Sequence, residues 1–262
     1  MVCRTIIHLS SRNGMLKIAV NSLIIILILT SRANAQDTLW TKTFGGMTPS
    51  AGHSVRQTSD NGYILGGFVL SANGSHTECL LVKTDSIGQG IWEKRFGGES
   101  NDFATEVYQV SDGGYIVGGY TSSFGAGNGD FYLIRTNSAG DELWSHTYGG
   151  SGSELATSMA LTAEGGFILA GRTQGTYYPD TRYLVVKTDS LGNEEWHRTY
   201  GNGISVASSI IATDDAGYII AGYKNANAYL VKIDANGTKM WDRIYGGAMA
   251  ENAEGIVQTA DG

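Results

Sequence analysis

Acidic side chains in the predicted loops are the residues of this sequence with the clearest capacity for chemistry. Glu99, Asp102, Asp130 and Glu154 lie in segments rich in Gly and Ser. Two carboxyl groups roughly 5 to 10 Å apart across a cleft hydrolyse glycosidic bonds, one as the acid and the other as nucleophile or base. A polysaccharide-acting, endoglucanase-like hydrolase is therefore one hypothesis, and the distances between these groups in the folded chain test it.

Four acidic or amide residues recur at one position of a repeated turn and resemble metal ligands in type. Each begins a short turn that ends in Gly, where the side chain of Asp or Asn accepts hydrogen bonds from backbone N–H groups. We interpret them as turn caps rather than as a metal site. They are Asp85, Asn137, Asp189 and Asp234.

Other catalytic groups find no support in the sequence. Cys79 is the only cysteine after residue 35, and it lies in the apolar run 79–82, which predicts a small buried hydrophobic side chain. The histidines are scattered, and neither His-Glu-x-x-His nor Gly-x-Ser-x-Gly occurs. We expect no catalytic residue, no metal ion and no cofactor.

The tryptophans indicate that the chain is built of repeats. Each begins a segment that reads Trp-x-x-x-aromatic-Gly, and in a strand the Trp and that aromatic residue point to one face. Their fixed place predicts that they pack between repeat units. The five lie at 40, 92, 144, 196 and 241, at intervals of 52, 52, 52 and 45 residues.

Two further signatures divide each repeat into four short strands, named A to D. An Asp-Gly-Gly-Tyr type of turn, as at 112–115, marks a hairpin between A and B, because Gly takes the positive φ that such turns need. An apolar run that closes on a turn, as at 133–140, forms strand C and leads into the Trp-bearing strand D. The pattern predicts an all-β protein, a β-propeller of four-stranded antiparallel blades. A β-solenoid is disfavoured because its coils are usually shorter and do not require two hairpin turns in each repeat.

The repeats also predict how the chain is organised. Residues 1–35 form a leader and residues 36–262 the propeller repeats. We expect a strand D at 37–46 and a partial strand A at 252–262, so that the terminal blade lacks strands B and C and the propeller is truncated. Four complete blades are expected at about 51–98, 103–150, 155–201 and 206–247.

The first 35 residues have the pattern of a cleavable secretory signal. Lys17 precedes the apolar stretch 18–30, and Ala33-Asn-Ala35 places small residues at the −3 and −1 positions of a cleavage site. The apolar stretch is shorter than the roughly 20 residues that span a bilayer. We therefore expect a secreted or cell-surface protein without a transmembrane segment.

The chain that follows the leader is acidic. The leader holds four of the 18 Lys and Arg residues and none of the 25 acids, so its removal changes the formal net charge from −7 to −11. Affinity for a phosphate backbone comes mainly from clustered Lys and Arg. The composition therefore argues against nucleic acid as a partner.

These repeats resemble a family of secreted bacterial repeat proteins that is frequent in Bacteroidota. Its units read roughly W-x-K-T-Y-G-G, S-D-G-G-Y-I-V-A-G and L-I-K-T-D-x-x-G-N-x-x-W, and the likeness covers residues 37–262. Members often end in a sorting domain for type IX secretion, which is not found here. The resemblance implies export and a propeller fold, and it implies no particular activity.

The stretch from the turn residue to the Trp, as at 85–92, is also similar to the tryptophan motif of quinoprotein alcohol dehydrogenase propellers. That resemblance implies a quinone, a calcium site and often a vicinal Cys pair. The sequence has no Cys pair and no Cys-x-x-Cys-His haem motif. The likeness is therefore one of architecture within a quinoprotein-like superfamily.

The connections at the two ends of each predicted blade differ. The A-to-B and C-to-D turns are nearly the same in every repeat. B-to-C and D-to-A connections share the opposite face of an up-and-down blade, and variable loops on a repetitive scaffold commonly carry binding. The variable B-to-C loops are 71–78, 122–130, 173–182 and 224–227.

We interpret the protein as an exported, non-catalytic scaffold that binds glycan or protein partners, such as those of the cell envelope, through this variable face. A purely structural surface protein is a further alternative. The candidate binding residues combine hydrogen-bond acceptors with aromatic stacking area. They are Asp102, Phe124, Asp130, Glu154, Tyr177, Tyr178 and Asp180.

Export is expected to be accompanied by cleavage after Ala35, so that the secreted protein begins at Gln36. Small side chains at −3 and −1 fit the signal peptidase, which is the physical reason for this position. N-terminal sequencing of secreted protein measures it. Secreted material that retains the apolar stretch 18–30 would contradict the assignment.

Overall fold

Four sheets of four strands make up the described part of the chain. The computed structural model describes residues 41–46, 48–174, 180–247 and 249–259. We call the sheets blades 1 to 4, and in each the strands follow one another in chain order as A, B, C and D. Blade 1 comprises β1 Ser50–Gln57, β2 Tyr63–Leu70, β3 Thr77–Thr84 and β4 Gly90–Phe96. Blade 2 comprises β5 Asp102–Gln109, β6 Tyr115–Thr121, β7 Asp130–Thr136 and β8 Glu142–Tyr148. Blade 3 comprises β9 Glu154–Leu161, β10 Phe167–Gln174, β11 Thr181–Thr188 and β12 Glu194–Tyr200. Blade 4 comprises β13 Ser205–Ala212, β14 Tyr218–Lys224, β15 Asn227–Ile233 and β16 Lys239–Tyr245.

All neighbouring strands within a blade are antiparallel, which confirms the predicted all-β fold. The blades pack face to face in chain order. The A strands of neighbouring blades lie side by side, whereas their D strands make at most marginal contact, so the blades spread outward from strand A to strand D. None of the described segments forms a helix of the length and apolar character that a membrane crossing requires.

The core lies between the blades, on the two faces of the central strands. Strands B and C read as almost continuous apolar runs because neighbouring blades cover both of their faces; in β7 every residue is buried. Strand D alternates exposed and half-buried residues, as in β4. Three clusters of buried side chains join each blade to the next along the chain.

The C-to-D turns are capped as the sequence predicts. Asp85 Oδ1 accepts the N–H groups of Ile87 at 3.0 Å and Gln89 at 2.8 Å. Asp189 Oδ1 does the same with Leu191 and Asn193, at 2.8 and 2.9 Å. The equivalent bonds hold the other two turns, at 137–141 and 234–238. The turn-cap interpretation of these residues is confirmed.

A buried cation of strand C fixes the A-to-B turn in blades 1, 2 and 4, whereas Lys187 of blade 3 lies closer to Glu195 of strand D than to Glu164 of the turn. Lys83 Nζ lies 2.8 Å from the carboxylate of Asp60, and Lys232 Nζ lies 2.6 Å from that of Asp215. The hydrogen bond from Lys83 holds the pKa of Asp60 well below its usual value. The same pairing recurs in blade 2 between Arg135 and Asp112. The carboxylates are largely exposed, so each pair positions a turn rather than supplying much stability.

A tryptophan on the D strand of blades 1, 2 and 3 packs on a glycine of the next blade. Trp92 meets Gly140, Trp144 meets Gly192, and Trp196 meets Gly237; we call this the Trp-on-Gly contact. A Cβ on these glycines would lie only 2.8 to 3.0 Å from the ring, and all three glycines have φ near +80°. The sequence predicts buried tryptophans between the blades; the structure shows them in equivalent interblade positions but half-buried, because strand D is the outer strand.

The aromatic residue four places after the Trp completes this contact. The hydroxyl of Tyr148 donates to the carbonyl of Gly192 at 2.6 Å, and the hydroxyl of Tyr200 donates to that of Gly237 at 2.6 Å. Phe96 occupies the same place in blade 1 and is buried without a hydroxyl. Strand D of one blade thus fixes the C-to-D turn of the next.

The segments that flank the four blades are not strands where the structure describes them. Residues 41–46 belong to the predicted strand D at 37–46, and 252–259 to the predicted strand A at 252–262. A strand needs a hydrogen-bonded neighbour along its length, and none pairs with either segment within the described residues. The later segment still lies against blade 4, since the Ala253 N–H donates to the Gly222 carbonyl at 3.3 Å.

We expect Gly192→Ala to destabilise the protein more than Gly165→Ala. Both glycines have nearly the same φ, +82° and +84°, so the backbone strain is matched, but only at Gly192 does a Cβ meet other side chains, the rings of Trp144 at 2.8 Å and His146 at 2.6 Å. Overpacking of this kind costs about 1–3 kcal/mol. Urea unfolding of both variants measures the difference in the free energy of unfolding. Equal losses would contradict the importance of the contact.

Candidate functional site

The first and second strands of each blade bring one pair of side chains together near the variable loops. Phe103 of β5 lies opposite Tyr120 of β6 in the ladder, just before the B-to-C loop of blade 2. The equivalent pairs are Ala51 with Phe68, Leu155 with Arg172, and Val206 with Tyr223. Because the A strands lie side by side, these pairs follow one another from blade to blade.

A β-bulge helps to set the direction of these side chains. The β5–β6 register shifts between Ala104 and Glu106, immediately after Phe103. Gly119 permits the shift, since a Cβ there would collide with the Phe103 carbonyl. Bulges kink a strand and re-aim its side chains. Register shifts lie at the corresponding place in the other three blades.

Four of the ring-bearing residues form a continuous surface, which we call the aromatic row: His53, Phe68, Phe103 and Tyr120. The ring centroids of Phe68 and Phe103 are 5.0 Å apart in an edge-on arrangement. Those of Phe103 and Tyr120 are 4.8 Å apart and nearly parallel. His53 continues the row, 5.6 Å from Phe68. The three phenyl-type rings are half-buried, so part of each stays accessible.

Arg172 continues the same positions in blade 3. Its charge acts on Tyr120, whose pKa is raised by burial and lowered by the guanidinium. Arg172 is itself half-buried. Its guanidinium makes no salt bridge or hydrogen bond with any residue that the structure describes. Within those residues, the row is therefore followed by a cation without a counter-charge.

The predicted binding residue Asp102 lies inside the protein. It is 0% exposed. Its Oδ2 accepts the Gly98 N–H at 2.9 Å and the Ser123 hydroxyl at 2.7 Å, and its Oδ1 accepts the Thr121 hydroxyl. The carboxylate thus ties the D-to-A loop to the start of the B-to-C loop.

Asp130 and Glu154 converge on one place. A Cβ on Gly149 would contact a carboxylate oxygen of each. Asp130 is 1% and Glu154 3% exposed, and each holds loop backbone: Asp130 accepts the Ala126 N–H at 3.0 Å and Glu154 the Gly150 N–H at 3.0 Å. Glu154 borders a cavity of about 260 Å³ beside Gly149, whereas Asp130 does not line it. They lack the accessible geometry that a pair of hydrolase carboxylates requires.

The remaining predicted residues lie at the loops. Asp180 accepts the Gly203 N–H at 3.1 Å and pairs with Arg182 at 2.9 Å. Tyr177 and Tyr178 lie outside the described residues. Phe124 is 45% exposed at the edge of a groove of about 520 Å³ between blades 1 and 2. A binding role for the predicted residues stays a prediction.

In the part of the chain that the structure describes, no group of three His, Cys, Asp or Glu side chains is arranged to hold a metal ion. Cys79 is buried, as predicted, and burial raises the pKa of its thiol. A thiol of this kind is inert.

Comparisons with known proteins bear on the fold. No protein-family model matches the sequence. The regulatory protein FlaEY of Caulobacter vibrioides is 24% identical over 159 residues, which is 52% of this chain and 17% of that protein. The chain therefore spans less than a fifth of the length of this relative, and the match assigns no activity.

Solved structures are similar in fold at low sequence identity. A protein from Lactobacillus plantarum superposes with a TM-score of 0.52 at 11% identity, over 80% of this chain and 60% of that chain. The Dos1 propeller gives 0.49 at 11% identity, over 74% of this chain and 48% of that chain. The architecture follows from the four consecutive antiparallel four-stranded sheets, which pack on one another in chain order. The chain is a β-propeller.

Sequence reasoning missed the aromatic row. Counted from the Gln109–Tyr115 pair, plain hairpin register places Tyr120 opposite Ala104, and the β-bulge after Ala104 moves its partner to Phe103. The contact between Phe68 and Phe103 crosses from blade 1 to blade 2, and repeat spacing alone does not predict it.

Proposed function

We propose that the protein is an exported, non-catalytic propeller that binds a glycan through the face carrying the B-to-C and D-to-A loops. The aromatic row is the observation that carries this proposal. Stacked rings at the loop ends of strands A and B offer a half-buried apolar surface beside polar loops. Export rests on the leader pattern of residues 1–35.

Aromatic rings suit a saccharide for a physical reason. The ring faces carry partial negative charge, and the C–H groups on the flat side of a pyranose carry partial positive charge, so the two pack favourably. Phe103 and Tyr120 are rigid and already held by each other, so little side-chain entropy is lost on binding. The hydroxyl of Tyr120 adds a hydrogen-bonding group.

The fixed carboxylates support binding rather than catalysis. Asp102, Asp130 and Glu154 are enclosed and hold the loop backbone in place. A loop that is ordered before it meets a ligand pays less on binding than a mobile one. These carboxylates therefore influence binding by fixing the shape of the loops. A hydrolase that used them as catalytic groups would need them exposed to the substrate.

Phe103→Leu is the variant that tests this function. Leu155 occupies the same repeat position in blade 3, so leucine is compatible with the fold there. We expect about a tenfold loss of affinity for the oligosaccharide that the protein binds most tightly on an array, since a lost stacking contact is worth roughly 0.5–1.5 kcal/mol beyond its area. Isothermal titration calorimetry measures the change.

Leu191→Ser is the matched control. Leu191 is 63% exposed in a C-to-D turn, on the opposite face. The substitution removes an apolar side chain, as Phe103→Leu removes an aromatic ring, and is expected to leave the affinity unchanged. Weaker binding in Leu191→Ser but not in Phe103→Leu would place the ligand on the face of the C-to-D turns and contradict the proposal. Binding to an envelope protein and to no saccharide would replace the glycan by a protein partner.

A further inference from the structure

One position of the repeat departs from its pattern on the inner side of the propeller. The sixth residue of strand B, just before the B-to-C loop, is aromatic in three blades: Phe68, Tyr120 and Tyr223. In blade 3 this position is Arg172. A cation here is not needed for the fold, because three of the four blades do without it.

The side chain of Arg172 has no structural partner among the described residues. Its guanidinium forms neither an ion pair nor a hydrogen bond with them. Glu154 is the nearest acid in the β9–β10 ladder, but it pairs with Thr173, and neighbouring residues of a strand point to opposite faces. In contrast, the fully buried cations of the described residues, such as Lys83 and Lys187, are paired with carboxylates.

A half-buried guanidinium without a counter-charge gains most from an anion supplied from outside. Arg presents a planar fork of donors that matches a carboxylate in a bidentate geometry. Tyr120 lies close enough for the guanidinium to influence its pKa. An apolar ring surface and an anion-binding group therefore occupy successive positions at one end of the propeller.

We propose that Arg172 makes this surface selective for acidic saccharides, with the guanidinium binding the carboxylate of a uronic acid and the aromatic row packing against the sugar rings. The inference rests on the proposed glycan-binding function and names its ligand class. A saccharide is favoured over an acidic peptide because the rings extend over two blades in a row, as successive sugar rings do. The protein as a whole is acidic, so no general attraction for anions competes with this local one.

The test compares an oligogalacturonate with its methyl ester, which is neutral and otherwise the same. We expect the unchanged protein to bind the acid form roughly ten- to a hundredfold more tightly, as a charge-assisted hydrogen bond allows. Arg172→Tyr gives this residue the side chain found at positions 120 and 223. It is expected to lose the preference while it retains the affinity for the ester.

Two further variants separate charge from geometry. Arg172→Lys keeps the charge without the planar fork and is expected to retain only part of the preference. Arg243→Gln removes one exposed positive charge from the outer strand of blade 4, away from the loops and the row, and is expected to leave the preference intact. Thermal unfolding of each variant shows whether the fold is retained.

The outcomes distinguish this inference from the function on which it rests. Equal affinity of the unchanged protein for acid and ester would overturn the role of Arg172 and leave glycan binding standing. If Arg172→Tyr kept the full preference for the acid form over the ester, the role of Arg172 would also be overturned and glycan binding would stand. Binding to neither saccharide would overturn both proposals. Arg172-dependent binding of polyglutamate in place of the saccharides would replace the acidic glycan by an acidic peptide.

Discussion

The packing of a tryptophan on a turn glycine of the next blade is the contact on which this structure depends. A four-stranded sheet alone cannot cover both of its apolar faces, so each blade needs its neighbour. Trp144 reaches Gly192 only because that residue has no side chain and takes a positive φ within a turn capped by Asp189. The hydroxyl of Tyr148 then bonds the same glycine. The cap residue and glycine of the turn, the Trp ring and the aromatic residue four places after the Trp form one unit that repeats from blade to blade.

This unit fixes one face of the propeller and leaves the other free to vary. The C-to-D turns must keep their length and their glycine, which is why they look alike in every repeat. Where the structure describes them, the B-to-C loops carry no such contact, and buried carboxylates such as Asp102 hold the loop backbone from inside. Sequence variation there changes the surface without changing the blade. The aromatic row and Arg172 lie at this end of the strands.

Much of the fold could be predicted from the sequence because its signals are local and repeated. The Trp interval, the hairpin glycines and the turn caps at Asp85 and Asp189 are properties of short segments. The candidate site was harder to predict from the sequence. Asp102 has the residue type of a ligand-binding group, and only the fold shows that it faces inward. The contact of Phe68 with Phe103 depends on how two blades meet.

The most direct test of this account measures the cost of Gly192→Ala in a Trp144→Leu background. Leucine removes the far edge of the ring, which is the part that a Cβ at Gly192 would meet. Denaturant unfolding then gives the coupling between the two substitutions. The account predicts that the extra penalty of Gly192→Ala over Gly165→Ala falls when Trp144 is shortened, while the part due to the His146 ring, whose Cδ2 would lie 2.6 Å from the new Cβ, remains. An unchanged penalty in that background would contradict it.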